Sequence, residues 1–150
     1  MTEELIKDVL RYIEDNLYEC LKVEELSEYF HYSRYYLLRV FKKYTGLTIN
    51  DYINQRKIIK SIDKLINSDN RILNIALTTG FNSLEYYSET FLKVTHFSPL
   101  EFRKNPNISK YLPFDYSNDL LNSLLNNNRI LNNIKNIKKP IKVLNKSLKK

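Results

Sequence analysis

Apolar residues recur at helical spacing along most of the first hundred positions, and each run is bracketed by residues that start or stop helices. Leu5, Ile6, Val9, Leu10, Ile13 and Leu17 form one stripe. Thr2 is placed to cap it, with Glu3 and Glu4 in a first turn where the helix dipole favours anions. Val23 to Phe30 reads as a short helix, and His31-Tyr32 as a tight turn. Ser33 then opens a helix that Gly46 is placed to end in the left-handed conformation. Within it Tyr36, Leu37, Val40, Phe41 and Tyr44 make an apolar face. The other face carries Arg34, Tyr35, Leu38, Arg39 and Lys42, an unusual mixture for a solvated helix. Thr48 caps a longer pattern through Ile49, Tyr52, Ile53, Arg56, Ile59, Ile62, Leu65 and Ile66. That pattern predicts a helix to about Asn67, with Ser68-Asp69-Asn70 supplying breakers and the next cap.

Helix, short turn, helix with an exposed basic face is the helix-turn-helix pattern, whose second helix enters the DNA major groove. Taken once, it reads better as an ordinary pair of core helices. The pattern comes twice, however. Val23, Leu26, Ser27 and Tyr32 map onto Ile72, Ile75, Ala76 and Phe81 at an offset of 49. Ser33, Leu37 and Phe41 map onto Ser83, Tyr87 and Phe91 at an offset of 50, so the second turn is one residue longer. The expected architecture is all-α: helix-turn-helix units at about 23–46 and 72–95, joined by a linker helix at about 48–67. A helix of that length spans ~28 Å, and two helices reading one face of a duplex must sit about 34 Å apart. Ser98 as N-cap, Pro99 and Glu101 open a final short helix, in which Phe102 takes the place of Tyr52. The domain is expected to span 1–106. The Asn- and Lys-rich tail at 107–150 is expected to be partly helical or disordered, with a mobile basic end.

Charge sharpens this picture. The 150-residue chain carries +7 overall. Residues 1–28 nevertheless hold nine acidic side chains against three basic, residues 29–106 twelve basic against six acidic, and residues 107–150 nine basic against two. Positive charge begins with the first candidate recognition helix, which points to a polyanionic partner. The acidic run from Glu3 to Glu28 reads as a solvated face kept away from DNA or as a surface for a polymerase. Lysine outnumbers arginine 17 to 7 in an Asn- and Ile-rich chain, a bias that AT-rich coding also produces. The single Cys20 excludes an internal disulfide, fits a reducing cytoplasm, and is expected to be a small buried residue near the end of the first helix. The acidic N-terminus is no signal peptide and no apolar run approaches ~18 residues, so a soluble cytoplasmic protein is expected, without a membrane partner. His31 and His96 lack ligand-spaced partners and read as turn residues, so no metal or cofactor is expected. With two glycines, two histidines and one cysteine, the chain lacks the phosphate loops, nucleophile elbows and metal motifs of enzymes.

The residues also resemble a known family. Ile13 to Leu17, Ser33 to Gly46 with Tyr52 and Arg56, Ile75-Ala76, Gly80-Phe81, Tyr86-Tyr87-Ser88, Phe91, Ser98-Pro99 and Phe102-Arg103 look like the AraC/XylS regulators of bacterial transcription. The resemblance covers about residues 5–105. It implies two helix-turn-helix subdomains entering successive major grooves of double-stranded DNA, with RNA polymerase as a protein partner. The chain is similar to the short MarA/SoxS kind, without room for a separate sensor domain, which bind as monomers. Family recognition positions fall on Tyr35, Leu38 and Arg39 in the first half and on Leu84, Glu85, Ser88 and Glu89 in the second. Ser33, Arg34, Lys42, Lys43, Ser83 and Lys93 complete the expected DNA-binding set. Three departures stand out: Glu89, seconded by Glu85, where the family has arginine or another DNA-tolerant residue; Leu92 in place of a lysine; and Ile62 in place of a small residue on the linker. The leading expectation is a sequence-specific transcription regulator. The rival is an interaction module of the same fold with reduced DNA affinity, titrating a related regulator. An architectural DNA-binding protein ranks last, since apolar wedges flanked by basic arms are missing.

Overall fold

The computed structural model describes residues 2–107, which form seven helices and no strand. In chain order they are α1 (Thr2–Asp15), α2 (Val23–Phe30), α3 (Arg34–Thr45), α4 (Ile49–Asn67), α5 (Ile72–Thr78), α6 (Leu84–Thr95) and α7 (Pro99–Lys104). The tail expected to be partly helical or disordered lies, from 108 on, outside the described residues.

Two hydrophobic cores are strung on α4. The first gathers α1, α2 and α3 around Leu10, Leu26, Leu37 and Phe41, and takes Ile49, Tyr52, Ile53 and Ile59 from α4. The second gathers α5, α6 and α7 around Ala76, Tyr87, Phe91 and Phe102, and takes Ile58, Ile62 and Leu65. Neighbours Ile58 and Ile59 thus serve different cores, because successive residues on a helix point about 100° apart. Buried Tyr87 stands where the first half has Leu37, and its hydroxyl donates to Ser61 Oγ at 2.8 Å. That bond explains why a serine interrupts the apolar run of α4.

The two halves repeat down to their turns. Ser33 and Ser83 accept from the N–H groups of Tyr36 and Tyr86, each at 3.1 Å. Thr45 Oγ1 donates to the Phe41 carbonyl and accepts from the Leu47 N–H, and Thr95 Oγ1 bridges Phe91 and Phe97 in the same way. Thr48 and Ser98 then cap α4 and α7. The chain's two glycines and two histidines all sit at positive φ: His31 at 60° answers Gly80 at 94°, and Gly46 at 77° answers His96 at 69°. Glycine is needed at 80 for a second reason. A Cβ there would lie 3.0 Å from Lys57 Cε and 3.3 Å from the Tyr18 backbone.

Three local expectations are corrected. Thr2 is the first residue of α1 and not its cap. Arg71, not Ser68, Asp69 or Asn70, occupies the N-cap of α5, and it makes no side-chain cap bond. Cys20 is exposed in the loop after α1, because that helix stops at Asp15, five residues short of it.

Polar contacts tie the outer helices to α4. Arg56, only 1% exposed, donates through Nε and Nη2 to the two oxygens of Glu14 on α1, at 3.1 and 2.8 Å. Lys60 lies 3.4 Å from the same carboxylate. Burial pushes the Glu14 carboxyl up, but the Arg56 hydrogen bonds and charge, joined by Lys60, outweigh it and hold the group below its ordinary range. From α7, Arg103 donates to the carbonyls of Leu65 and Ser68 and so closes the C-terminal end of α4.

Gly80→Ala is expected to cost ~1–2 kcal/mol of backbone strain plus ~1–3 kcal/mol for the clash with Lys57. Urea unfolding of the variant against the parent checks this. Glu14→Gln is expected to cost about 3–5 kcal/mol at pH 7, since it strands a buried guanidinium. Because the folded-state pKa of Glu14 is depressed, its stabilisation is full above the ordinary glutamate range and fades as pH falls through the folded value. Unfolding curves of parent and variant should therefore converge in strong acid, and a difference that stays constant with pH would contradict this linkage.

Candidate nucleic-acid interface

Each half presents the helix after its turn as the outward element, α3 in the first and α6 in the second. Both are 12 residues long and start from a serine cap. With the offset of 50, the outward positions pair as Tyr35 with Glu85, Leu38 with Ser88, Arg39 with Glu89, Lys42 with Leu92 and Lys43 with Lys93.

On α3, Tyr35 is 76% exposed, the highest value among the large exposed hydrophobic side chains of the described residues. The Arg39 guanidinium carbon lies 5.7 Å from the Tyr35 ring and 5.8 Å from that of Tyr36. Cation–π attraction of ~0.5–1 kcal/mol at such an exposed site pre-orients the guanidinium without burying it. Tyr36 stacks in turn on Tyr32 of the preceding turn, at 5.2 Å. Arg34 lies 3.5 Å from Glu24 of α2, an exposed ion pair of little energetic weight. Lys42 and Lys43 are exposed in the last turn of α3, where they also complement the helix dipole.

On α6, Glu85 and Glu89 are exposed on the outward face and Ser88 is half-buried beside them. Leu92 is 52% exposed, and Lys93 is exposed in the last turn. The two faces therefore match in position and differ in sign: cation and aromatic on α3, carboxylates on α6. Leu38 and Leu84 correct the expectation of two outward residues. Both are half-buried and pack on the first and second core respectively, because each lies where the outward face curves toward the body of its half. Ser33 and Ser83 already use their oxygens as caps, which leaves each hydroxyl hydrogen as the group to offer.

Tyr86 lies beside the expected set. It is 47% exposed at the edge of the α6 face, and its hydroxyl accepts from the Asn54 side-chain amide on α4 at 2.8 Å. Its repeat equivalent Tyr36 is half-buried against the first core. Among the described residues no group of three or more His, Cys, Asp or Glu is placed to hold a metal ion. No helix among them is long and apolar enough to cross a membrane.

A family model described as a helix-turn-helix domain matches residues 26–105, which spans the turns and outward helices of both halves. PqrA of Proteus vulgaris is 32% identical over 107 residues, covering 70% of this chain and 88% of that one. The chain belongs to the AraC/XylS family of transcription regulators. The multiple antibiotic resistance protein MarA of Escherichia coli is 38% identical over 98 residues, 65% of this chain and 77% of that one. The regulatory protein PocR of Salmonella typhimurium is 30% identical over 108 residues, and there the chain spans 36% of the relative's length. An AraC-type transcriptional regulator from Chromobacterium violaceum superposes with a TM-score of 0.62 at 25% identity, over 69% of this chain and 95% of that one. The DNA-binding domain of AdpA, solved in complex with a target DNA, has the same fold, with a TM-score of 0.62 at 23% identity over 66% of this chain and 89% of that one. AraC/XylS proteins regulate transcription, a non-enzymatic role, through this helix-turn-helix DNA-binding fold.

Proposed function

We propose that this AraC/XylS protein is a sequence-specific regulator that inserts α3 and α6 into successive major grooves on one face of double-stranded DNA. The observation that carries this reading is the duplication: two capped helices with matched outward positions, both packed against a single 19-residue helix. Such a rigid α4 spans ~28 Å, and with the offset of each unit it suits the separation of about 34 Å between successive grooves. The complex of AdpA with its target DNA supports the same use of this fold. We assign base reading in the first half to Tyr35 and Arg39, and phosphate contacts to Ser33, Arg34, Lys42 and Lys43. In the second half Ser83, Ser88 and Lys93 hold the backbone, while Glu85 and Glu89 face the bases. The protein acts as a monomer on DNA in the cytoplasm, with RNA polymerase as its protein partner.

One observation favours a second reading. Two exposed carboxylates and an exposed leucine on α6 suit a protein surface better than a phosphate backbone. In that reading the chain keeps the fold, has reduced DNA affinity and titrates a related regulator.

Footprinting on genomic fragments at moderate salt separates the two. The regulator should protect two patches one helical turn apart on one face, whereas the titrating module should protect none. An arginine paired bidentately with guanine O6 and N7 is worth ~1–3 kcal/mol of discrimination. Arg39→Ala is therefore expected to relax preference at one base pair while leaving helical circular dichroism intact, and a uniform loss across all sequences would reduce Arg39 to a phosphate contact.

Glu89 tests the division of labour between the halves. A carboxylate near phosphates is repelled unless it accepts from a cytosine amino group. Glu89→Arg should tighten binding to random-sequence duplex severalfold in a gel-shift titration. The first half is expected to supply most of the affinity, and loss of specific binding in Glu89→Ala would instead make the carboxylate a base reader and overturn that ranking.

A further inference from the structure

We infer that the cleft between the two helix-turn-helix halves is a binding site for a small monocarboxylate with a flat apolar body, its charge held by the Lys57 ammonium. The cleft has a volume of about 370 Å³, within the ~300–1,000 Å³ of small-molecule sites. Its walls come from three places: the loop after α1 (Cys20), the inner side of α4 (Ile53), and the turn between α5 and α6 (Phe81), with Tyr86 at the start of α6. Both halves therefore line it.

Lys57 is the anomaly that assigns the charge of the ligand. Its residue is only 8% exposed, and Nζ donates to the Gly80 carbonyl at 3.0 Å, with the Phe81 ring 5.7 Å away. Neither of those partners is an anion. No acidic side chain lines the cleft, and Lys57 is the one charged residue that does. Buried charges are ordinarily paired, because leaving water costs several kcal/mol per ion. Burial correspondingly pushes this ammonium down from its ordinary lysine range. A carboxylate beside Nζ would supply the missing counter-charge and occupy donors that Gly80 leaves unused. One cation fits one negative charge. Tyr86, half exposed, offers its ring to a planar body, with the buried Phe81 and Ile53 behind it, and the Asn54 amide gives a polar rim.

The test uses the full chain with 2-naphthoate as probe and 2-naphthamide as its neutral counterpart. Calorimetric titration at pH 7 should give saturable one-to-one binding of naphthoate with a dissociation constant below a millimolar. Naphthamide should bind at least tenfold more weakly, and Lys57→Met should lose a comparable factor. A second readout needs no variant. Cys20 is the chain's sole cysteine, is exposed and lines the cleft. Saturating naphthoate should therefore slow its alkylation by N-phenylmaleimide severalfold, with naphthamide at the same concentration doing little. Equal binding of acid and amide, full binding by Lys57→Met, or unchanged Cys20 alkylation would each overturn the assignment. Displacement of naphthoate by equimolar inorganic phosphate would also overturn it, since the site would then select phosphate.

Discussion

Everything in the described part of this protein hangs on α4 being one unbroken helix shared by two cores. Neither half could bury its short helices alone. α2, α5 and α7 are eight residues or fewer, well below the length at which isolated helices persist in water. Each becomes stable by packing on a helix that is already held elsewhere. α4 is held at its C-terminal end and along its length, by Glu14 on Arg56, by Arg103 on its terminal carbonyls, and by Gly80 and Tyr86 on Lys57 and Asn54. The linker is thus a structural member in its own right, and the relation between α3 and α6 is as rigid as its packing.

The buried Glu14–Arg56 pair illustrates the kind of constraint involved. A carboxylate and a guanidinium removed from water gain little net stability over a well-packed apolar pair. What they do supply is a demand on geometry, because both oxygens and two guanidinium nitrogens must meet at once. α1 is therefore fixed in register and rotation against α4. Its exposed carboxylates Glu4, Asp8 and Asp15 lie off the face that packs in the first core, whereas Glu24 of α2 reaches Arg34 of α3.

The elements were legible because their signals are local. Caps at Ser33, Thr48, Ser83 and Ser98, periodic apolar faces, and the doubled pattern each need only a few neighbouring residues to read, and the helices fall where those signals end. Contacts between distant segments were not legible. Glu14 and Arg56 are 42 residues apart, Lys57 and Gly80 are 23, and nothing in either neighbourhood announces the other. Cys20 was misplaced for a related reason. Its neighbour Leu17 continues the apolar stripe in spacing and is buried, although α1 has already ended at Asp15. Leu38 and Leu84 were misread because the boundary between outward and inward faces depends on how far each core wraps round its helix. Periodicity alone does not supply that distance.

The repeat also shows which features the fold requires and which are free to change. Caps, bridging threonines and the four left-handed positions are kept between halves, even where histidine stands in for glycine. The outward positions are not kept: Arg39 answers Glu89, and Lys42 answers Leu92. None of those four side chains enters a core. Exchanging them leaves the buried area, the caps and the backbone conformation untouched, so the energetic cost to the fold stays within the few tenths of a kcal/mol typical of surface positions. In the proposed DNA-binding role, recognition can then diverge between halves while their spacing is preserved, because α4 and the turns set the spacing and the outward residues set the chemistry. Gly80 is the one turn position where the two requirements meet. Its missing side chain leaves room for Lys57, so the second turn is tied to the cleft in a way that the first, with His31 at the matching place, is not.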